Sequence, residues 1–319
     1  AALARLDLGA LPARLGAAPL EAMRLAVHGH EARFALPGGV SLSRCALDQA
    51  LAAAAQEQGA TFRDATHATL VASGNGRHRL ALEHGEERYE IQARTLAVAD
   101  GVGGRLLAGH PAFRARVRRG SRLGLGAVFA QGPAAYERGA IHMACTRAGY
   151  VGLVQLEGGE LDVAAALDPR FVKRAGGPMA AVQLGLREVG WPALADEDAV
   201  RWQGTALLTR CRRPVAHEGI ILLGDAAGYV EPFTGEGIGW ALLCGEAAGD
   251  LLARAGRGWH PALARAWARR YRRIVARRQA RCRVIAALLR RPGVVRVGVG
   301  LAARWPAMAR PVVEAVSAA

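Results

Sequence analysis

Residues 219 to 249 read GIILLGDAAGYVEPFTGEGIGWALLCGEAAG, and this stretch decides the fold. Ile220 to Leu223 is a short apolar run, the signature of a fully buried strand. It stops at Gly224-Asp225. A loop with Pro232 and the glycines 228, 235, 237 and 239 follows, and then Ile238, Ala241, Leu242 and Ala248 mark an apolar helix. A carboxylate at the end of a buried parallel strand stands where open α/β sheets bind ligands, and it accepts hydrogen bonds from sugar-type hydroxyls. Gly235 and Gly237 lack a Cβ, so backbone there can lie close to a flat ring. A helix beginning near Gly237 aims unpaired N–H groups and a partial positive charge at that ring.

GDAAGYVEPFTGEGIGWAL resembles the second FAD-binding motif of the flavin hydroxylase and geranylgeranyl reductase superfamily. The resemblance implies the para-hydroxybenzoate hydroxylase type of fold. It also implies that Asp225, after Gly224, binds the ribitol of FAD, and that Pro232, Gly235, Glu236, Gly237 and Ile238 lie against the isoalloxazine. The helix end would stabilise the negative charge that a reduced flavin carries around N1 and the C2 carbonyl.

Composition is consistent with a sizeable globular protein. The chain has 319 residues, 51% of them hydrophobic, enough for two domains with real cores. The net charge of +15 comes almost entirely from arginine, with Lys173 the only lysine. The abundance of Ala, Arg and Gly points to a GC-rich coding bias, so basic charge alone says little about partners. Cys45, Cys145, Cys211, Cys244 and Cys282 are scattered without a C-x-x-C pair. That pattern speaks against a disulfide framework or structural zinc and for a reducing cytoplasm. No apolar run is long enough to cross a bilayer, and no signal-peptide pattern opens the chain.

Upstream of the central stretch, residues 1 to 40 read as a short helix and two strands, near Met23–Val27 and Glu31–Ala35. Ser43 is placed to cap a helix running to Gln58 and ending at Gly59. Arg44 then sits in its first turn, where the helix dipole disfavours a cation unless an anion lies nearby. S-R-x-x-L-D-x-x-L at Ser43 to Leu51 resembles the superfamily motif whose Arg contacts FAD, so Arg44 is a cofactor candidate.

Strands are expected at 60–63, 67–72, 77–83, 88–91 and 95–99, with Asn75-Gly76 as a hairpin turn. The last of them runs into Asp100-Gly101, again a carboxylate and a flexible backbone at the ligand edge of a sheet. The pair resembles the family's DG fingerprint for the FAD pyrophosphate and, in hydroxylases, NAD(P)H. Gly104 stands where the family often has Ser and Leu107 where it often has Arg.

Strands near 123–130, 140–145, 150–156 and 161–166, a Gly158-Gly159 turn and helices over 171–174 and 178–189 resemble the family's second domain, a sheet that covers the flavin. The Tyr-x-Trp-x-Phe-Pro motif frequent in geranylgeranyl reductases is represented only by Tyr150-Val151-Gly152-Leu153-Val154. His142 and Tyr150 are acid/base types, but neither has a partner at readable spacing, and each is read as structural. In a flavoenzyme the cofactor carries the chemistry, so no catalytic residue is assigned.

From Pro261 a helix runs to about Arg290, with Leu263, Trp267, Tyr271, Ile274, Ile285 and Leu288 as its apolar stripe. Arg265, Arg269, Arg273, Arg277 and Arg281 lie largely away from that stripe. Arg291-Pro292-Gly293 ends it, and a second apolar and basic segment spans 294–316. The helices are read as a cover with a solvated basic face, or as a peripheral contact with the anionic inner face of a membrane. No nucleic-acid module is visible. Gly298 to Ala303 has only a faint likeness to a dinucleotide fingerprint, since no βαβ unit fits there.

No G-x-G-x-x-G occurs near the start, where related flavoproteins bind the ADP half of FAD with a unit of about thirty to fifty residues. The expected architecture is therefore α/β (α+β): an FAD/NAD(P)-binding Rossmann-like domain, N-terminally incomplete, with an inserted β-sheet substrate domain and C-terminal helices. Its expected parts are 1–109 and 216–255 for FAD, 110–215 for substrate and 256–319 for the basic helices. The expected activity is an FAD-dependent oxidoreductase, drawing electrons from NAD(P)H and reducing an apolar, isoprenoid- or polyketide-like alkene. Aromatic hydroxylation on the same fold is the alternative, and a non-catalytic remnant with a membrane-binding basic helix is the reading from another class.

Overall fold

The computed structural model describes residues 2–74, 77–195, 200–231, 233, 235, 237–256 and 258–304, with backbone only for Arg277 and Pro292. In chain order, β1 (Ala22–Val27) and β2 (His30–Ala35) precede α1 (Arg44–Glu57). Then come β3 (His67–Gly74), β4 (Arg77–His84), β5 (Glu87–Ala93), β6 (Leu96–Val98) and β7 (Ala115–Val117). A second run contains β8 (Leu123–Phe129), β9 (Ala140–Cys145), β10 (Gly149–Gln155), β11 (Leu161–Leu167), α2 (Pro169–Ala175) and α3 (Pro178–Glu188). The last part holds β12 (Arg210–Arg212), β13 (Ile220–Leu222), α4 (Gly224–Ala227), α5 (Gly237–Ala255), α6 (Pro261–Leu288) and α7 (Pro292–Arg304).

Two compact units result. The first contains residues 1–7, 51–119 and 209–281, and the second contains 8–50, 120–208 and 282–319. The division differs from the boundaries expected at 109, 215 and 255. Residues 8–50 join the second unit because β1 pairs in parallel with β9 and antiparallel with β2. Such a pairing between distant segments leaves no local trace in sequence. Most of α6 belongs to the first unit, whereas its last turns and α7 belong to the second.

In the second unit the sheet order is Gln203–Gly204, β8, β11, β10, β9, β1, β2. On β11 the alternation is strict at its start: Leu161 and Val163 are fully buried while Asp162 and Ala164 face the other way. Their layer joins Phe129, Leu153, Leu167, Val182 and Leu186, the last two from α3, into one core. Asp168 caps α2 by accepting from the amides of Arg170 and Phe171, and Gly176 closes it at φ +94°. The Gly158-Gly159 turn holds, with Leu156 N–H donating to Glu160 O across it.

In the first unit β3, β4 and β5 form an antiparallel sheet, and β6 pairs in parallel with β13. Leu80, Leu82, Leu96, Val98, Leu107, Phe113, Ile220 and Leu222 make its core. One expected strand is corrected: residues 60–63 are irregular and exposed, Phe62 at 54%. Four residues without a ladder partner cannot hold an extended form. The Asn75-Gly76 turn lies outside the described residues.

Candidate functional site

The site is built on the pair β6–β13. Leu96, Ala97 and Val98 stand opposite Ile220, Ile221 and Leu222, and Leu223 N–H donates to Val98 O at 2.9 Å. All three residues of β13 are fully buried. Because the strands are parallel, the loops after Val98 and Leu222 leave the sheet at one edge, the edge where ligands bind in open α/β sheets. Asp100 and Asp225, far apart in sequence, are the acidic residues that lead these two loops.

Asp100 is exposed, and its Oδ2 accepts from Leu106 N–H at 3.0 Å, which closes the loop on itself. Gly101 sits at φ +70°. Asp225 is half-buried in α4, and its charge reaches Cys244 on α5 and Tyr271 on α6. Burial pushes the Cys244 thiol up, and Asp225 adds to the effect. The Tyr271 phenol is raised by burial first, then by Cys244 and Asp225.

Two arginines that sequence reasoning missed tie these loops together. Arg210 and Arg212 alternate on β12 and so share a face, with Cys211 exposed between them. The half-buried Arg210 donates to Val102 O at 2.6 Å. Arg212, only 6% exposed, donates to Gly104 O at 2.8 Å and to Ala226 O at 3.1 Å, bridging the Asp100 loop and α4. Burial, then the neighbouring Arg212, lowers the pKa of Arg210. The signal available in sequence was the Arg-x-Arg alternation just upstream of β13.

Packing within this unit accounts for both departures from the family pattern. A Cβ on Gly104 would overlap the Arg212 guanidinium, so a serine there would displace the group that bonds Gly104 O and Ala226 O. Leu107 is 1% exposed within the core, where an unpaired guanidinium would be costly.

Beyond Asp225, Gly224 adopts φ +48°, and a Cβ there would lie 3.2 Å from Ala241 Cβ, so this glycine lets α4 pack on α5. α5 begins at Gly237 with no acidic residue in its first turn. Where side chains at Gly235, Gly237 and Gly239 would stand, no atom of the other described residues lies within 4 Å, apart from chain neighbours and the helix's own backbone. The helix N-terminus therefore has open space beside bare backbone, with Ile238 37% exposed next to it. Pro232 and Glu236 lie outside the described residues. A flavin fits this donor set: open backbone, a helix whose first turn holds no acid, and a carboxylate at the end of a buried strand.

α6 supports the site from behind. Trp267, fully buried, donates from Nε1 to Leu222 O at 3.1 Å, at the end of β13. Gln279 Nε2 donates to Gly228 O at 3.1 Å. At Trp267 and Tyr271 the helix packs as a cover, whereas Leu288, read in the same apolar stripe, is 46% exposed.

Arg44 opens α1 in an ion pair with Asp48 at 2.9 Å, its side chain 66% exposed. Asp48 thus supplies an anion against the helix dipole, one turn along. Ser43 Oγ caps the helix by accepting from Ala46 N–H at 3.2 Å. The structure gathers Asp100, Gly101, Gly224, Asp225, Gly235, Gly237 and Ile238 in the first unit.

His142 and Tyr150 are buried in the sheet of the second unit. The His142 ring meets Tyr136 and Trp191 edge-on at 5.3 and 5.8 Å. Burial, then the charge of Arg24, lowers its pKa below 6.5, and His78 and His110 are also lowered, chiefly by burial. The unfolded chain therefore binds protons that the fold refuses. This stability is fully present above pH 6.5 and is lost as pH falls from there toward the folded values. His142→Phe is expected to flatten the fall in urea midpoint across that window, leaving the slope due to His78 and His110. An unchanged profile would show that His142 titrates normally.

No family model matches the chain, and no curated protein matches it significantly in sequence. Its fold is that of FAD-binding flavoproteins. The flavin-dependent brominase Bmp2 superposes with a TM-score of 0.76 at 13% identity, over 99% of this chain and 80% of the other. The p-nitrophenol 4-monooxygenase PnpA from Pseudomonas putida DLL-E4 gives 0.75 at 15%, over 99% and 85%. A geranylgeranyl bacteriochlorophyll reductase-like protein from Thermoplasma acidophilum gives 0.67 at 16%, over 99% and 87%. At these identities the likeness establishes the fold.

Proposed function

We propose that the chain is an FAD-dependent oxidoreductase that takes electrons from NAD(P)H and acts on an apolar small molecule. The observation that carries the reading is the convergence of the Asp100 and Asp225 loops at one edge of the parallel pair β6–β13, with the open start of α5 following in the same unit. Asp225 would accept hydrogen bonds from ribitol hydroxyls, and Asp100-Gly101 would face the pyrophosphate. Gly224, Pro232, Gly235, Glu236, Gly237 and Ile238 would border the ring. The N–H groups of α5 would hold negative charge at the N1–C2 side of the ring. When bound, flavin supplies two-electron chemistry, either hydride delivery to an alkene or oxygen insertion into an aromatic ring. Leu107 in the core means that a donor nucleotide gains no cation from that position.

The E-G-I form of the loop favours alkene reduction, and the fold shared with a monooxygenase keeps hydroxylation as the second reading. Protein expressed from its complete reading frame is expected to purify yellow, and Asp225→Ala to weaken FAD binding about tenfold or more. A colourless protein that takes up no FAD on titration would overturn the proposal. NAD(P)H-coupled oxygen uptake with an aromatic substrate separates hydroxylase from reductase.

A further inference from the structure

The last turns of α6 and the whole of α7 are apolar on two opposite sides. Inward, Cys282 and Ala286 on α6 and Val299 and Ala302 on α7 are buried, and α7 packs on β1 and β2. Gly300, from the faint dinucleotide look-alike, faces the ring of His30, a packing contact. Outward, Val284 and Leu288 are 60% and 46% exposed, one helical turn apart. On α7, Val294, Val297 and Leu301 are 47%, 62% and 45% exposed at i, i+3 and i+7. Of the thirteen large hydrophobics exposed among the described residues, five fall between 284 and 301. That is clustering, and exposed apolar clusters mark contact surfaces.

The charge around them selects the contact. From Leu251 to Val313 the sequence has no Asp or Glu, and from Arg254 to Arg304 it carries fifteen arginines. Arg283, Arg291 and Arg296 are exposed beside the apolar rows. A second copy of the same face would bring cation against cation. No described helix is long and apolar enough to cross a membrane. Helices with an exposed apolar row, flanked by arginine and free of acid, suit the plane of an anionic bilayer, with the apolar side chains below the headgroups and guanidiniums at the phosphates. We propose that the surface formed by Val284, Leu288, Val294, Val297 and Leu301 with its arginines seats the protein on anionic membranes. The proposal does not depend on the flavin reading.

The test is co-sedimentation of the full chain with vesicles of phosphatidylcholine alone and with vesicles that also contain phosphatidylglycerol. Binding is expected only to the anionic vesicles, weakening as salt is raised. The exposed triple substitution Val284→Gln, Val297→Gln and Leu301→Gln is expected to keep the circular dichroism spectrum and to lower vesicle affinity about tenfold or more. Arg291→Gln with Arg296→Gln is expected to lower affinity and its salt dependence. Three results would each overturn the proposal: equal binding to neutral vesicles, no binding to anionic ones, or a triple variant that binds like the parent. Concentration-dependent dimerisation abolished by the triple variant would also overturn it, by assigning the face to self-association.

Discussion

Arg212→Ala is expected to lower stability by about 3 kcal/mol, because it strips buried hydrogen bonds from two carbonyls and leaves a cavity between two loops. The affected acceptors are Gly104 O and Ala226 O, which the guanidinium reaches with separate nitrogens. Lysine carries one nitrogen on a flexible stem and cannot reproduce the fork, so Arg212→Lys is expected to recover only part of the loss. Urea melts of both variants check this. A change of less than about 0.5 kcal/mol in Arg212→Ala, the range of an ordinary surface substitution, would show that the bridge does not matter. FAD titration of the same proteins should show weaker binding, since the Asp100 loop and α4 are the segments that Arg212 joins.

Trp267→Ala should cost about 4 kcal/mol, the scale for emptying a fully buried large aromatic site. Its indole is fully buried and donates to Leu222 O, so the loss falls at the end of the strand that presents Asp225. Trp267→Phe keeps much of the volume and loses the donor. It should cost about 1.5 kcal/mol. If the two variants melted alike, the hydrogen bond lost in both, rather than packing, would account for the attachment of α6.

The central stretch was legible because each of its signals is local. The apolar run at Ile220 to Leu222, the stop at Gly224 and the helix from Gly237 can each be read within a few residues. The Ser43 cap was legible on the same terms. The Asp100 loop was readable only as a strand ending in Asp-Gly; its neighbourhood with Asp225 depends on the parallel pairing of β6 and β13. Arg210 and Arg212 escaped notice because, in a chain so rich in arginine, one more pair carries no compositional signal. What distinguishes them is burial against carbonyls, a property of the folded chain. The sheet that residues 8–50 enter was not legible for a related reason: β1 and β2 look like any hairpin, and only β9, far along the chain, decides which sheet they join.

The grip of Arg212 on both Gly104 and Ala226 has a mechanical meaning. With one rigid, planar group clamped to two backbones, neither segment can swing away without loosening its hold on the other. The floor at the end of the paired strands thus behaves as one piece, and a molecule that settles against either half meets a surface already braced by the other.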